Sequence, residues 1–546
     1  MKKLLRIEQV AEKLGLDKDA LENYGNYKAK ISLNAIKKNR KSNLLVVTAI
    51  TPTPLGEGKS TIAIGLTQGF GKINQNVALT IRQPSLGPVF GHKGGGTGGG
   101  RATVQPAEDI NLHFNGDFHA MESAHNLLAA MVDNAVYRNK IKDFSAEDIT
   151  WRRVTDAEDR SLRSIISGSG GSSTAPLRST GFDISSASEI MAILALTDSQ
   201  KDLRERLSSI VVGWKKDKTP VLAKDINCVG SMMALLKDAI KPNLAQTIEG
   251  QPAIVHMGPF GNIAHGCSSI LADQLATSYA DYVITEAGFG ADLGFEKFIH
   301  IKTRYGAPKP NVAIIVATIR ALKWHGGATL KELTSKNMAI LKKGISNLEH
   351  AINIVNLFGI PAIVAINKFP EDTEEEINFV RKIAEESGAT AIESLAFAHG
   401  GDGTRELASL ILEKIKNKSK VSYLYKLTDS IESKIHTIAT KVYGASGIEL
   451  SDEAHKTIKN INSFGANNLP ICIAKTHLSI SSNPKLLGRP TNFSFPIPAI
   501  RISNGAGFIY PLAGNIRTLP GLPKTPNALK INIDKTGEIK GLMSKN

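Results

Sequence analysis

The chain has 546 residues, too many for one hydrophobic core, so its length predicts two to four domains. Hydrophobic residues make up 42% and charged residues 21% of the sequence, a balance that excludes a disordered or fibrous protein. The net charge is +15, but the basic residues are dispersed and are not interleaved with aromatics. We therefore expect small anionic substrates and no nucleic-acid partner.

The cysteines and the apolar segments of the sequence indicate the cellular compartment of the protein. The three cysteines lie far apart and form no Cys-x-x-Cys pair, which is typical of a reducing environment. Met1 to Val10 is basic but has no continuing apolar region. No later stretch reaches the roughly eighteen apolar residues that cross a bilayer. We expect a cytoplasmic protein that does not associate with membranes.

The first elements of the chain are a helix and a strand. Apolar residues from Leu4 to Tyr24 recur at helical spacing and predict an N-terminal helical lead-in. The apolar run Leu44 to Ile50 predicts a buried parallel strand, and the apolar spacing after Lys59 predicts a second helix.

A glycine-containing turn joins this strand to this helix. Its residues are Thr53, Pro54, Leu55, Gly56, Glu57, Gly58, Lys59 and Ser60. The N–H groups of a helix start can cradle phosphate oxygens, Lys59 would reach the terminal phosphates, and Ser60 would ligate Mg²⁺. Thr53 stands where this motif usually begins with glycine. We interpret the turn as a nucleotide-binding phosphate loop, because a βα turn that binds nothing does not explain Gly-x-Gly-Lys-Ser-Thr.

A second strand, Val77 to Ile81, ends at Arg82. Open α/β sheets bind ligands at the carboxyl ends of their strands, so Arg82 is a candidate anion-binding residue. A glycine run then extends from Gly91 to Arg101, with Lys93 near its start. We interpret it as a second backbone cradle for an anion, with a flexible linker as the alternative.

The spacing His113-x-x-x-Asp117-x-His119 superficially resembles a metal-ligand pattern. These residues straddle a turn at Gly116 and no thiolate joins them, so hydrogen bonding beside a phosphate site is favoured. A metal site is the open alternative.

Four more strand-like runs lie at residues 253–257, 282–285, 312–318 and 362–367. Helical or loop segments separate them, which predicts an α/β fold with a mainly parallel sheet. Each run ends in polar or glycine-rich sequence, so we expect the active site along the strand ends. The Lys-rich stretch 417–443 reads as helical, and short strands are expected beyond Ile471.

Taken together, these motifs resemble the formate–tetrahydrofolate ligase family, also called formyltetrahydrofolate synthetases. The matching segments are Thr51 to Lys59, Arg82 with Pro84 to Pro88, Glu108 to Phe114, Thr285 to Gly294, Val316 to Gly327 and Pro520 to Pro523. The resemblance covers nearly the whole chain.

The resemblance implies ligation of formate to tetrahydrofolate through formyl phosphate, with 10-formyltetrahydrofolate, ADP and phosphate as products. It implies that residues 53–60 bind ATP with Mg²⁺, and that Arg82 holds formate and formyl phosphate at two points. The family stacks the pterin between two aromatics, at the positions of Phe369 and Phe397. A homotetramer and activation by K⁺ or NH₄⁺ are also implied.

The sequence departs from the family pattern at a few positions. These are Gln83 for glutamate, Gly96, Thr97 and Arg101 for two alanines and a tyrosine, and Phe397 for tryptophan. None of the departures removes Lys59 or Arg82.

With the resemblance, we expect three domains. A P-loop NTPase-like large domain over residues 1–335 would bind ATP and formate. A smaller α/β domain over residues 336–430 would contribute to the folate site, and a small α/β domain would span residues 431–546.

A P-loop GTPase is the alternative enzyme class, because residues 365–370 resemble a guanine-specificity loop. Pro370, however, takes the place of the decisive aspartate. A non-enzymatic nucleic-acid-binding role rests on net charge alone.

Overall fold

The computed structural model describes residues 4–37, 41–92, 94–171, 175–415, 419–514 and 516–542. Within these residues a sheet of twelve strands organises the chain. In chain order the strands are β1 Leu21–Asn23, β2 Ala29–Ile31, β3 Asn43–Ala49, β4 Val77–Ile81, β5 Gly98–Gly99, β6 Ala102–Gln105, β7 Asn243–Thr247, β8 Pro252–Val255, β9 Tyr282–Glu286, β10 Val312–Ala317, β11 Ala362–Asn367 and β12 Thr390–Ser394.

The strands are ordered β1-β2-β7-β8-β4-β9-β3-β10-β11-β12 across the sheet, and the β5–β6 hairpin joins it through β7. All neighbours from β8 to β12 are parallel. The pairs at the other edge, from β1 to β8, are antiparallel. The prediction of an α/β fold with a mainly parallel sheet is confirmed.

Helices cover both faces of the sheet. The helices of seven or more residues are Ile7–Leu14, Lys59–Lys72, Asp117–Tyr137, Glu189–Leu196, Gln200–Ser208, Val229–Leu235, Ile270–Tyr279, Ile319–His325, Met338–Gly344, Ser346–Leu357, Glu374–Glu386, Arg405–Lys414, Ile431–Lys441 and Asp452–Phe464. None of the helices in the described ranges is both long and apolar enough to cross a membrane.

The alternation of side chains along β3 shows why its sequence is apolar throughout. Leu45 and Val47 belong to one core with Ile62 and Phe70 of the following helix. Leu44 and Val46 belong to another core on the opposite face. A central parallel strand buries both faces, so it needs a continuous apolar run in place of an alternating one.

The predicted N-terminal helix is too long. The helix ends at Leu14, because Gly15 takes a left-handed conformation with φ 78° and caps it. Residues Leu21–Asn23 form the edge strand β1. The helical spacing of apolar residues beyond Gly15 therefore does not correspond to a helix.

In the second half of the chain, residues 336–430 contribute β11 and β12 to the same central sheet as the phosphate-loop strand. The three domains and the two boundaries between them stay predictions. Helix Ile431–Lys441 covers only the end of the predicted Lys-rich helix, and residues 416–418 lie outside the described residues. Short strands beyond Ile471 are present, including the hairpin of Ala499–Ser503 and Phe508–Leu512.

A buried ion pair ties the antiparallel edge to the long helix Asp117–Tyr137. Lys30 Nζ lies 2.7 Å from Asp117 Oδ1, and both side chains are almost fully buried. Asn243 of β7 donates to the other Asp117 oxygen at 2.6 Å.

In the described ranges, no group of three or more His, Cys, Asp or Glu could hold a metal ion. The metal alternative for Asp117 is therefore not supported.

We expect Lys30→Met to lower the free energy of unfolding by about 3 to 5 kcal/mol, because Asp117 would stay buried without its cation. Urea denaturation followed by circular dichroism measures this loss. The control is Lys28→Met, which removes a cation from the more exposed pair with Asp109 and should cost less than about 1 kcal/mol. Equal losses in the two variants would contradict the role of the buried pair.

Candidate active site

The order of three central strands brings the predicted phosphate loop and Arg82 together. Strand β9 lies between β4 and β3 and is parallel to both. Arg82 follows β4, Glu286 ends β9, and the loop follows β3. Because the three carboxyl ends meet at one edge of the sheet, these groups share one site.

The predicted strand, turn and helix are present at the phosphate loop. Gly58 has φ 75° and forms the N-cap of the helix Lys59–Lys72. The first N–H groups of a helix have no partners within the helix, so this turn offers donors to an anion. A Cβ on Gly58 would lie 2.7 Å from Asn367 Nδ2, so this position requires glycine for space as well as for φ. Phosphate binding by the loop stays a prediction.

Glu57 shapes the loop from inside. Its carboxylate is buried and accepts the Thr53 N–H at 2.9 Å and the Thr318 hydroxyl at 2.9 Å. Its carbonyl oxygen accepts from Asn367 Nδ2 at 3.2 Å. Of the other predicted loop residues, Pro54, Leu55 and Gly56 form the exposed tip. Glu57 therefore holds the loop's shape, and the tip is left open to solvent.

Glu286 connects the loop to Arg82, a role that sequence reasoning missed. One of its carboxylate oxygens accepts the Ser60 hydroxyl at 2.7 Å, and the other lies 3.5 Å from Arg82 Nε. Only 6% of its side chain is exposed. The available signal was a single carboxylate at the end of an otherwise apolar, buried strand.

The two predicted cations, Lys59 and Arg82, lie close enough for their charges to interact. The pKa of the Lys59 ammonium is lower than usual, mainly because the group is buried. The positive charge of Arg82 adds to this lowering, and the negative charge of Glu286 opposes it. The polar contacts of Arg82 with the described residues are long, at 3.5 Å to Glu286 and at 3.5 Å to the Pro259 carbonyl oxygen. Its Nε has no hydrogen-bond partner among the described residues. An anion bound here would supply the charge and the acceptors that both cations lack.

The two predicted pterin-stacking residues follow neighbouring strands. Asn367 and Ser394 are paired at the ends of β11 and β12, and Phe369 and Phe397 come two and three residues later. Phe397 is 41% exposed. The Arg320 guanidinium covers one face of the partly buried Phe369, 3.7 Å from the ring centroid.

The glycine run packs against Phe397. A Cβ on Gly99 would lie 3.1 Å from Phe397 Cε2, and the Arg101 N–H donates to the Phe397 carbonyl oxygen at 2.8 Å. The Gly96 N–H donates to Asn111 Oδ1 at 2.7 Å. At Gly96 and Arg101 the predicted anion cradle is therefore wrong, because both N–H groups are already bonded. Lys93 lies outside the described residues.

The structure is an α/β fold with charged and polar groups at the carboxyl ends of parallel strands, the edge at which α/β enzymes bind their ligands. Comparison with known protein families shows that the model for formate–tetrahydrofolate ligase matches residues 1–543. The chain belongs to the formate–tetrahydrofolate ligase family. It is an ATP-dependent ligase whose family joins formate to tetrahydrofolate, as its sequence motifs predict.

We expect Gly58→Ala to raise the KM for ATP at least tenfold, because the added methyl group meets Asn367 in a backbone conformation unfavourable to alanine. Steady-state kinetics with varied ATP measures the change. Gly56→Ala is the matched control, since Gly56 has φ 74° with no atom within 4 Å of an added Cβ. Similar KM values for the two variants would show that the Asn367 contact does not shape the ATP site.

Proposed function

We propose that the chain joins formate to tetrahydrofolate in two steps at this site. First, a formate oxygen attacks the γ-phosphorus of ATP, giving formyl phosphate and ADP. The N10 amine of tetrahydrofolate then attacks the formyl carbon, phosphate leaves, and N10 loses its proton, giving 10-formyltetrahydrofolate. The observation that carries the proposal is the convergence of Lys59, Arg82 and Glu286 at three adjacent strand ends.

The chemistry explains why the site needs positive charge and fixed geometry. Formate is a poor electrophile, and phosphorylation provides the leaving group that the amine displaces. Both steps bring anions together, so catalysis depends on positioning and on charge neutralisation. We assign the ATP phosphates to Lys59 and the loop of residues 53–60, and formate and formyl phosphate to the planar guanidinium of Arg82.

The residues beside Lys59 fit a magnesium ion carried by ATP. The Ser60 hydroxyl and the Glu286 carboxylate lie 2.7 Å apart and are oxygen ligands of the kind that Mg²⁺ prefers. Such an ion takes few protein ligands because phosphate oxygens and water complete its coordination. When bound, it would neutralise charge on the phosphates, and Ser60 would hold it.

The folate part of the proposal uses the two aromatics. Arg320 occupies one face of Phe369, and we assign the opposite face to the pterin. The exposed ring of Phe397 would cover the other side of the pterin. A homotetramer, a cytoplasmic location and activation by K⁺ or NH₄⁺ belong to the same proposal, on the family relationship alone.

The GTPase alternative does not fit the position of Asn367. Its side-chain amide donates to the Glu57 carbonyl oxygen beneath Gly58. It therefore supports the phosphate loop and is not free to read a guanine base.

We expect Arg82→Lys to lower kcat/KM for formate about 100-fold or more, because an ammonium cannot make the planar two-point contact. The assay is formate-dependent ADP release with and without tetrahydrofolate. Arg405→Lys, at an exposed surface arginine, is the control and should leave the kinetics unchanged. Unaltered formate dependence in Arg82→Lys would make Arg82 structural, and absence of formate-dependent ADP release in the wild-type protein would refute the proposed function.

We expect Phe397→Ala to raise the KM for tetrahydrofolate about 2- to 12-fold, the equivalent of a stacking contribution of about 0.5 to 1.5 kcal/mol. The KM values for ATP and formate should stay constant, since those ligands bind elsewhere in the site. Tyr137→Ala, at an exposed aromatic, is the control. A Phe397→Ala protein that loses stability but keeps its folate KM would place Phe397 in the core packing alone.

A further inference from the structure

A closed network of buried polar groups lies behind the phosphate loop. Its centre is Thr51, which follows strand β3 and precedes the loop of residues 53–60. The other members are His325, Asn347 and Gly488. Thr51 is 3% exposed, Asn347 1% and His325 4%. The proposed function uses none of these four residues.

Each hydrogen-bonding group of Thr51 has a partner in this network. Asn347 accepts the Thr51 N–H through Oδ1 at 3.0 Å and donates through Nδ2 to the Thr51 hydroxyl at 2.9 Å. His325 donates through Nε2 to the Thr51 carbonyl oxygen at 2.8 Å. Two side chains, from the helices Ile319–His325 and Ser346–Leu357, therefore hold this one residue at three points.

Gly488 closes the network from the C-terminal part of the chain. Its N–H donates to His325 Nδ1 at 3.3 Å, and its carbonyl oxygen accepts from Asn347 Nδ2 at 2.8 Å. Burial lowers the pKa of His325, so the ring is neutral and has the one donor and one acceptor that its two bonds require. Buried polar networks in which every group is bonded are rigid and favour a single arrangement.

Position 488 requires glycine. Gly488 has φ 69°, a left-handed backbone conformation, and an added Cβ would lie 3.2 Å from the His325 carbonyl oxygen. Residues 483–486, just before it, are exposed to solvent. A surface loop therefore reaches inward at Gly488, where it contacts the helix end that carries His325.

A buried ion pair anchors the other end of the segment that leads to Gly488. Lys475 Nζ lies 2.7 Å from Asp292 Oδ2, and both side chains are almost fully buried. Between the two ends, the Ser479 hydroxyl donates to the Leu486 carbonyl oxygen at 2.6 Å. Asp292 follows strand β9, the neighbour of β3. The segment is therefore fixed behind the same strand ends that form the candidate active site.

Two prolines connect Thr51 to the phosphate loop, in the order Thr51-Pro52-Thr53-Pro54. Proline fixes its own φ, and the residue before a proline is restricted to extended conformations. The Thr53 N–H is in turn bonded to the buried Glu57 carboxylate at 2.9 Å. The orientation of Thr51 therefore determines where the loop begins, because the residues between them have little freedom to adjust.

We propose that Gly488, with His325 and Asn347, positions the phosphate loop for ATP by holding Thr51. The inference rests on the proposed function, in which residues 53–60 bind ATP. The three residues act through Thr51 and do not touch the nucleotide. Because the network favours the loop shape that binds ATP, bound nucleotide must stabilise the network by the same free energy.

We expect Gly488→Ala to raise the KM for ATP about tenfold, because small displacements of substrate-positioning groups have effects of this size. The KM values for formate and tetrahydrofolate should stay constant, since Arg82 and the two aromatics lie outside the network. The matched control is Gly444→Ala, which also puts alanine at a left-handed position, with φ 74° and no atom within 4 Å of the added Cβ. It should keep all three KM values.

A second measurement uses the wild-type enzyme, so it does not depend on the folding of a variant. Hydrogen exchange is followed by mass spectrometry with and without ADP and Mg²⁺. Peptides that contain residues 486–490 should exchange about fivefold more slowly with the nucleotide, because the Gly488 N–H exchanges when the network opens. Peptides of residues 443–447, where the Ser446 N–H donates to the Phe493 carbonyl oxygen at 2.9 Å, should not change.

The outcomes separate this inference from the proposed function. A folded Gly488→Ala protein with a wild-type KM for ATP would overturn the inference and leave the proposed function intact. The same holds if ADP binds but exchange at residues 486–490 is unchanged, or slows no more than at residues 443–447. A wild-type protein that binds neither ATP nor ADP in calorimetry would refute both.

Discussion

The arrangement of the site depends on one carboxylate, that of Glu286. Its two oxygens contact Ser60 at 2.7 Å and Arg82 at 3.5 Å, so a single buried side chain links the phosphate loop to the arginine across three strands. Without it, Lys59 and Arg82 would repel each other in a partly desolvated site. In the proposed function, substrate anions would take over this neutralising role once they bind, and the cations would then be available to phosphate groups.

Two further constraints keep the loop in the shape that the site requires. The buried Glu57 carboxylate bonds the loop to itself at Thr53 and to the next strand end at Thr318. Asn367, from a third strand end, supports the loop beneath Gly58. The loop's shape is therefore set by polar contacts from the ends of strands β10 and β11. The end of β11 also leads directly to Phe369. In the proposed function, rigid elements would therefore connect the nucleotide site to the folate site, without a long connecting loop.

Sequence reasoning succeeded where the determinant was local. Strands β4 and β11 were predicted with their observed bounds, and β3 and β10 nearly so, because continuous apolar runs bounded by polar residues mark buried parallel strands. It failed for the helix after Leu14, where the left-handed conformation of Gly15 overrode the apolar spacing. It also missed β7 and β12. Polar residues such as Gln246 in β7 and Glu393 in β12 interrupt their apolar pattern, and the neighbouring strands stabilise them.

The sequence by itself determined the family, the mainly parallel α/β fold and the identity of Lys59 and Arg82 as charged residues at strand ends. Only the tertiary structure decided that β9 lies between β3 and β4, which puts Glu286 between them. It also decided that Asp117 pairs with Lys30, and that Arg517 and Lys524 join Arg160 and Arg163 in one pocket. These outcomes depend on contacts between residues 87 to more than 350 positions apart. Strand order and burial determine such contacts, and neither can be read from the local periodicity of the sequence.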